Sequence, residues 1–148
     1  MTRWPIPFAL LLLLAATPAR AADVGQIKVS QGAVLIERAG QRLPAPVGAG
    51  VQESDVVVTG ADGSVGITFA DASLLSAGPH SVLAIQRFAF DPTTHDGVFE
   101  TRLQKGTLAA VSGKIAKRSP DAMRVRTPAA LLGVRGTELV VRVTETAQ

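Results

Sequence analysis

The sequence predicts a single all-β domain, and three observations carry that prediction. Apolar and polar residues alternate with a period of two along several short stretches, as a half-buried strand requires. Turn signals recur between those stretches at the roughly 8–12-residue spacing typical of sandwiches and barrels. Beyond residue 23, no stretch of about 12 residues keeps a 3.6-residue apolar period without a Gly or Pro breaking it. A sandwich or partly open roll fits turns of varied length. A small β-solenoid is the alternative, weakened by the absence of any repeat of fixed period.

The first 21 residues stand apart from the rest. Arg3 gives a positive start, Ile6 to Ala16 is uncharged and carries Leu10 to Leu14, and Ala19-Arg20-Ala21 sets small residues where a signal peptidase reads them. That is the pattern of a cleaved secretory signal. The apolar run is about half the roughly 20 residues that a membrane-spanning helix needs. Cut after Ala21, the chain leaves one domain over residues 22–148, expected in the periplasm or outside the cell, with no transmembrane span. A domain of that size buries roughly two-thirds of its unfolded surface and folds without disulfides.

The strands then follow in order. Val34 to Ile36 and Val56 to Val58 are β-compatible runs. Val65, Ile67 and Phe69 alternate with Ser64, Gly66 and Thr68. Val82 to Ile85 and Phe88 to Phe90 are two further runs, and Phe99, Thr101 and Leu103 alternate with Glu100 and Arg102. Leu139, Val141 and Val143 close the series, less cleanly because Val140 is apolar too. Between them lie Gln31-Gly32, Ala39-Gly40, Asp62-Gly63, Gly78-Pro79, Asp96-Gly97, Lys105-Gly106 and Ser112-Gly113. Asp-Gly supplies the positive φ that tight hairpins need. Asp55, Asp62, Gly63, Asp71 and Gly106 are the expected turn formers. Pro120, Pro128, Gly133 and Gly136 interrupt the best helical candidate near the C-terminus.

Composition narrows the function classes. With 47% hydrophobic and 18% charged residues, the chain is no disordered solvating segment. The absence of Cys excludes disulfides, thiolate zinc sites, a Cys nucleophile and a lipid-bearing Cys. The net charge of +3 misleads, because Arg3 and Arg20 belong to the signal and leave 13 basic against 12 acidic residues, or +1. The remainder is uneven: residues 22–100 hold four basic and nine acidic side chains, residues 101–148 nine and three. One reading is a basic face for an anionic partner such as lipopolysaccharide phosphate or an acidic polysaccharide. The other, taken as the expectation, is one sheet system in which acidic early strands face basic late ones. Lys114, Lys117 and Arg118 read as a solvated loop. Nucleic acid is not expected of an exported domain without interleaved aromatics for base stacking.

Reactive chemistry is thin. Ser76 or Ser81, His80 and Asp71 assemble a triad on paper, but no G-x-S-x-G motif supports it. His95 reads as a loop-tip residue, and neither His has metal-ligand spacing. The carboxylate pairs Glu53/Asp55 and Asp91/Asp96 sit in turn contexts, where Asp bonds its own backbone. Gly133-Val134-Arg135-Gly136-Thr137 is either a backbone anion cradle or, as expected, a sharp turn; it lacks the Gly spacing and Lys-Ser/Thr of a P-loop. No catalytic residue, metal or cofactor is expected.

The segment Arg126-Thr127-Pro128-Ala129-Ala130-Leu131-Leu132-Gly133-Val134-Arg135-Gly136-Thr137-Glu138 resembles the "TP-x-A-x-x-GVRGT" ending of FecR domains, exported sensor modules first known from regulators of iron uptake. Asp55-Val56-Val57-Val58-Thr59-Gly60 resembles the family's "GD-x-(hydrophobic)-x-TG", and Ile67 to Ser73 its strand followed by "DGS". Gly78-Pro79-His80-Ser81, Phe88 to Asp91 and Leu103 to Thr107 are similar, in order, to its "P-x-S", aromatic strand and "L-x-x-G". The resemblance spans roughly residues 24–143. Ser54 stands where the family usually has Gly before Asp55, and Ala72 where it has Gly after Asp71. Both departures imply turns that avoid a backbone geometry reserved for glycine. Regulators of this family carry a cytoplasmic arm that binds a sigma factor, then a membrane helix. With an export signal expected at the start and five residues after Val143, anti-sigma activity is not expected to carry over. The resemblance implies a stand-alone, non-catalytic domain that works by contact with an envelope protein, with binding of an anionic envelope glycan or lipid phosphate as the alternative. The candidate contact residues are Thr127, Pro128, Gly133, Val134, Arg135, Gly136 and Thr137, with Arg135 as the polar contact.

Overall fold

A computed structural model describes residues 3, 21–136 and 138–144. The expected export signal lies outside the described residues except for Arg3 and Ala21. The described strands run, in order, β1 (Asp23–Gln31), β2 (Val34–Arg38), β3 (Gln41–Pro44), β4 (Gly50–Gln52), β5 (Val56–Thr59), β6 (Ser64–Phe69), β7 (Leu74–Ala77), β8 (Val82–Phe90) and β9 (Gly97–Val111). A short helix α1 (Lys114–Arg118) and a 3-10 turn (Pro120–Ala122) lead into β10 (Met123–Arg126), β11 (Leu131–Gly133) and β12 (Glu138–Val143). The protein is all-β. No helix among the described residues is long and apolar enough to cross a membrane.

The strands form one network that curls into two faces. One face runs β3-β2-β5-β8, then the first half of β9, then β10 and β11. The other runs β4-β1-β6-β7, then the second half of β9, then β12. Neighbours are antiparallel except β10, which lies parallel to β9. The 15-residue strand β9 belongs to both faces, with β8 and β7 along one edge and β10 and β12 along the other. This is a sandwich closed by one shared strand, not a solenoid.

Local chemistry explains how β9 turns the corner. Its inward residues are Phe99, Thr101 and Leu103 before the bend and Leu108 and Ala110 after it, so the pleat changes phase between them. The step from Val82 to Leu83 on β8 is matched by a two-residue step from Lys105 to Leu103 on β9. That extra residue is a β-bulge, followed by Gly106 at a φ of 95°. A second bulge between Ile85 and Arg87 shifts β8 in the same way and returns Phe88 to the interior. The two apolar runs expected as separate strands, Val82 to Ile85 and Phe88 to Phe90, are therefore one strand. Gly106, expected between two strands, lies inside one.

The faces meet on an aromatic cluster. Phe69 of β6 lies 4.5 Å from Phe99 of β9 and 5.7 Å from Phe88 of β8, centroid to centroid, and Phe88 meets Phe99 edge-on at 5.0 Å. Such pairs add about 0.5–1.5 kcal/mol each beyond the area they bury. Ile27, Ile67, Leu75, Leu83, Ile85, Leu103 and Leu108 fill the rest of the layer. Lys114 to Arg118, expected as a loop, is a turn of helix because Ile115 and Ala116 point into that core while Lys114, Lys117 and Arg118 stay outside. The expected pairing of acidic early strands with basic late ones is not the rule: among the ion pairs of the described residues only Arg118–Asp96 crosses between the two parts.

Candidate functional site

The polar residues of the motifs are consumed by three internal staples. The first holds the β4–β5 turn. Asp55, 1% exposed, accepts Nε–H of Arg38 at 2.8 Å, Nη2–H of Arg38 at 2.6 Å and the backbone N–H of Gln52 at 2.8 Å. Arg38 also donates to the Gly50 carbonyl. The hydrogen bond to Asp55 holds the guanidinium above its ordinary pKa, against the opposing effect of burial. A two-pronged pair of this kind fixes geometry as well as charge. Beside it, Glu53 accepts the N–H of Phe88 at 3.0 Å, at the β8 bulge.

The second staple sits at the corner of β9. The Thr59 hydroxyl donates to the Gly78 carbonyl at 2.7 Å and accepts the N–H of Ser81 at 2.8 Å. The Ser81 hydroxyl in turn accepts the N–H of Thr107 at 3.0 Å. Gly106 lies against it, and a Cβ there would come closer than 3.0 Å to Oγ, Cα and Cβ of Ser81. Nearby, Asp62 and Gly63 form the β5–β6 turn, where Asp62 accepts the Ala33 N–H at 3.2 Å.

The third staple joins the β6–β7 turn to the start of α1. Asp71 is fully buried and accepts the Ser73 N–H at 3.0 Å, the Ser73 hydroxyl at 2.7 Å and the Ile115 N–H at 3.4 Å. The Ser73 hydroxyl accepts the Gly113 N–H at 3.0 Å. Asp71 is thus held by neighbouring backbone and Ser73, with His80 and Ser76 outside its hydrogen bonds. Ser54 and Ala72, in two of these turns, have φ values of 74° and 67°. The expectation that both turns avoid left-handed backbone is therefore wrong. The turns keep the geometry, and the residues carry its cost of roughly 1–2 kcal/mol each.

The C-terminal candidates divide into two places. Thr127 caps the β10–β11 turn: its N–H reaches the Ala130 carbonyl at 2.8 Å and its hydroxyl accepts the Ala130 N–H at 3.0 Å. Pro128 is exposed on that turn. Gly133 ends β11 beside Arg124, at the hairpin's other end. From there Val134 to Gly136 carry the chain across the open end of the sandwich toward β12. Val134, 1% exposed, plugs the core there and its N–H reaches the Met123 carbonyl at 3.0 Å. Gly136 has a φ of 90°, and its carbonyl accepts the Ser112 hydroxyl at 2.6 Å. Arg135 points outward and pairs with Asp121 at 2.6 Å, with 73% and 70% of the two side chains exposed. Thr137 lies outside the described residues. The six described candidates do not form one surface: Val134 is core, Thr127 and Gly136 are turn residues, and the exposed Pro128 and Arg135 flank opposite ends of β11.

Sequence reasoning missed Arg38, Ser73, Ser81 and Ser112 as partners of motif residues. Each is a neutral or long-range partner, and only the recurrence of unpaired Asp and Thr in turn motifs signalled that such partners had to exist. Among the described residues, no three His, Asp or Glu side chains converge as a metal site would need.

No curated protein and no solved structure matches the chain. A family model described as FecR protein matches residues 55–148, starting at the Asp55 staple and running through the last strand. Membership points to a regulatory or sensory module of the cell envelope. With the match covering most of the chain and the motif residues seated in the fold as above, the chain belongs to the FecR protein family.

Proposed function

We propose that this is an exported FecR-family domain, residues 22–148, that acts without catalysis as a sensory or regulatory contact module for another protein of the bacterial envelope. One observation supports it above the rest: the motif carboxylates and hydroxyls are spent on internal hydrogen bonds, whereas Pro128 to Leu131 and Arg135 within the family match face outward. Arg135 is the polar contact, because its ion pair with Asp121 is solvent-exposed and contributes under about 1 kcal/mol to the fold. The test is crosslinking in intact cells followed by identification of the partner. Arg135→Ala is expected to abolish a discrete crosslinked species while leaving the melting temperature within about 2 °C. An unchanged species, or a variant that unfolds, refutes the assignment.

A second reading rests on a separate observation. Arg126 of β10 stands opposite Arg102 of β9, both exposed and neither in an ion pair among the described residues, with Arg124 on the same face. Like charges placed side by side are unfavourable unless an anion joins them, which favours an acidic glycan or lipid phosphate. Retention on such a polymer that falls steeply with salt, and disappears in Arg102→Ala/Arg126→Ala, selects this reading.

A further inference from the structure

The two faces end in four edge strands, β3 and β11 on one and β4 and β12 on the other. Exposed edges invite pairing with another chain, and proteins blunt them with short strands, prolines or bulges. Three of these edges are blunted. β4 and β11 have three residues each, and the four-residue β3 ends in Pro44. β12 is not. It has six residues, ELVVRV, with neither Pro nor Gly, and pairs with β9 without a break in register. Its far edge meets no strand among the described residues.

Burial marks the same edge as incomplete. Within β6 the inward residues Val65, Ile67 and Phe69 are fully covered, whereas the inward Leu139, Val141 and Val143 of β12 are only half-buried. On the outward side Val140 is 64% exposed between Glu138 and Arg142. Neither charged side chain has an ion-pair partner in its own chain among the described residues.

We propose that β12 pairs antiparallel with β12 of a second copy of this chain, about a two-fold axis at Val140. Register selects this arrangement. A self-paired strand keeps its inward residues inward only when the axis falls on a residue, since a slip by one exchanges the two faces. Centred on Val140, the pairing sets Glu138 of each copy opposite Arg142 of the other, and Leu139 opposite Val141. Centred on Val141 or Leu139, it leaves Glu138 and Arg142 opposite uncharged residues. Only the Val140 register satisfies both charges and extends the half-covered apolar row across the seam. The interface is isologous, and the two faces that contain β12 become one continuous sheet across the dimer.

The test is sedimentation equilibrium on the chain as recovered from cells, with circular dichroism to verify the fold of each variant. Wild type is expected to dimerise. E138R and R142E each place like charges opposite one another twice, and each is expected to raise the dimer dissociation constant about tenfold or more. The double variant E138R/R142E restores the opposite-charge pairs and returns the wild-type constant. A chain that stays monomeric at about millimolar concentration, a dimer indifferent to both single changes, or a double variant that does not recover overturns the proposal.

Discussion

Gly106→Ala tests the corner of β9 directly. Two penalties add at this position. The φ of 95° is left-handed, which costs an L-residue roughly 1–2 kcal/mol. The new methyl also lands on Ser81, closer than 3.0 Å to three of its atoms. Ser81 is fully buried and cannot swing into solvent. Displacing its hydroxyl strips the Thr107 N–H of its acceptor, at roughly 1–3 kcal/mol for a buried group left unpaired. The expected loss is about 3–4 kcal/mol, the sum of the middle of those ranges. In urea unfolding, with a slope of about 2 kcal/mol per molar for a domain of this size, the midpoint drops by about 2 M. Two controls separate the penalties. Gly136 has a φ of 90° but open space around it, so Gly136→Ala carries backbone strain alone, about 1–2 kcal/mol. Gly133 has open space and no left-handed backbone, so Gly133→Ala stays within about 0.5 kcal/mol of wild type. If Gly106→Ala costs no more than Gly136→Ala, the corner is not built on the Gly106–Ser81 contact and the reasoning fails.

Two further outcomes follow from the turns. Ser54→Gly and Ala72→Gly each relieve a left-handed backbone at an exposed position and lose part of the gain to unfolded-state entropy, for a net of about 0.5 kcal/mol apiece. Together they raise the melting temperature by about 3 °C, and a decrease would show the turns rely on the side chains instead. In the β8–β9 loop, Asp91 accepts N–H groups from Thr93 and Thr94, which hold its carboxyl below the ordinary carboxylate range. A depressed folded value means the stabilisation is complete above the usual pKa near 3.9 and is lost as pH falls beneath it. Amide protection at Thr93 and Thr94 is therefore expected to fall as the pH drops below about 4 while that of β9 holds, and Asp91→Asn removes the step; an unchanged profile in the variant rules the carboxylate out.

Alternation made the interior strands legible. Val65, Ile67 and Phe69, or Phe99, Thr101 and Leu103, face the core as their spacing requires. What alternation hides is a change of phase. At Gln86 and again near Gly106 an extra residue shifts the pattern, and a period-two reading breaks one strand into two. Short edge strands such as β4 and β11 are equally invisible, because three residues show no period. The motif residues were legible as turn formers and not as staples. Asp55 is read locally, but its cation is Arg38, across 17 positions and before the matched segment begins. The Gly133-to-Thr137 segment was read as a turn, and Gly136 is one. Its neighbour Val134 is apolar among glycines, and only the packed ends of two sheets reveal it as the plug.

The shared strand also governs how the chain reaches its native state. β1 to β8 can form hairpins and meanders as they are synthesised, yet the two faces have no strand in common until residues 97–111 arrive. Pairings such as β1 with β6 and β7 with β9 close loops of tens of residues, the kind of non-local topology that folds on the millisecond-to-second scale. A nascent chain ending before residue 97 thus holds two half-built sheets with bare edges. Once β9 is seated, both faces hang on the same backbone, so loss of either takes the other with it and the domain melts as one cooperative unit.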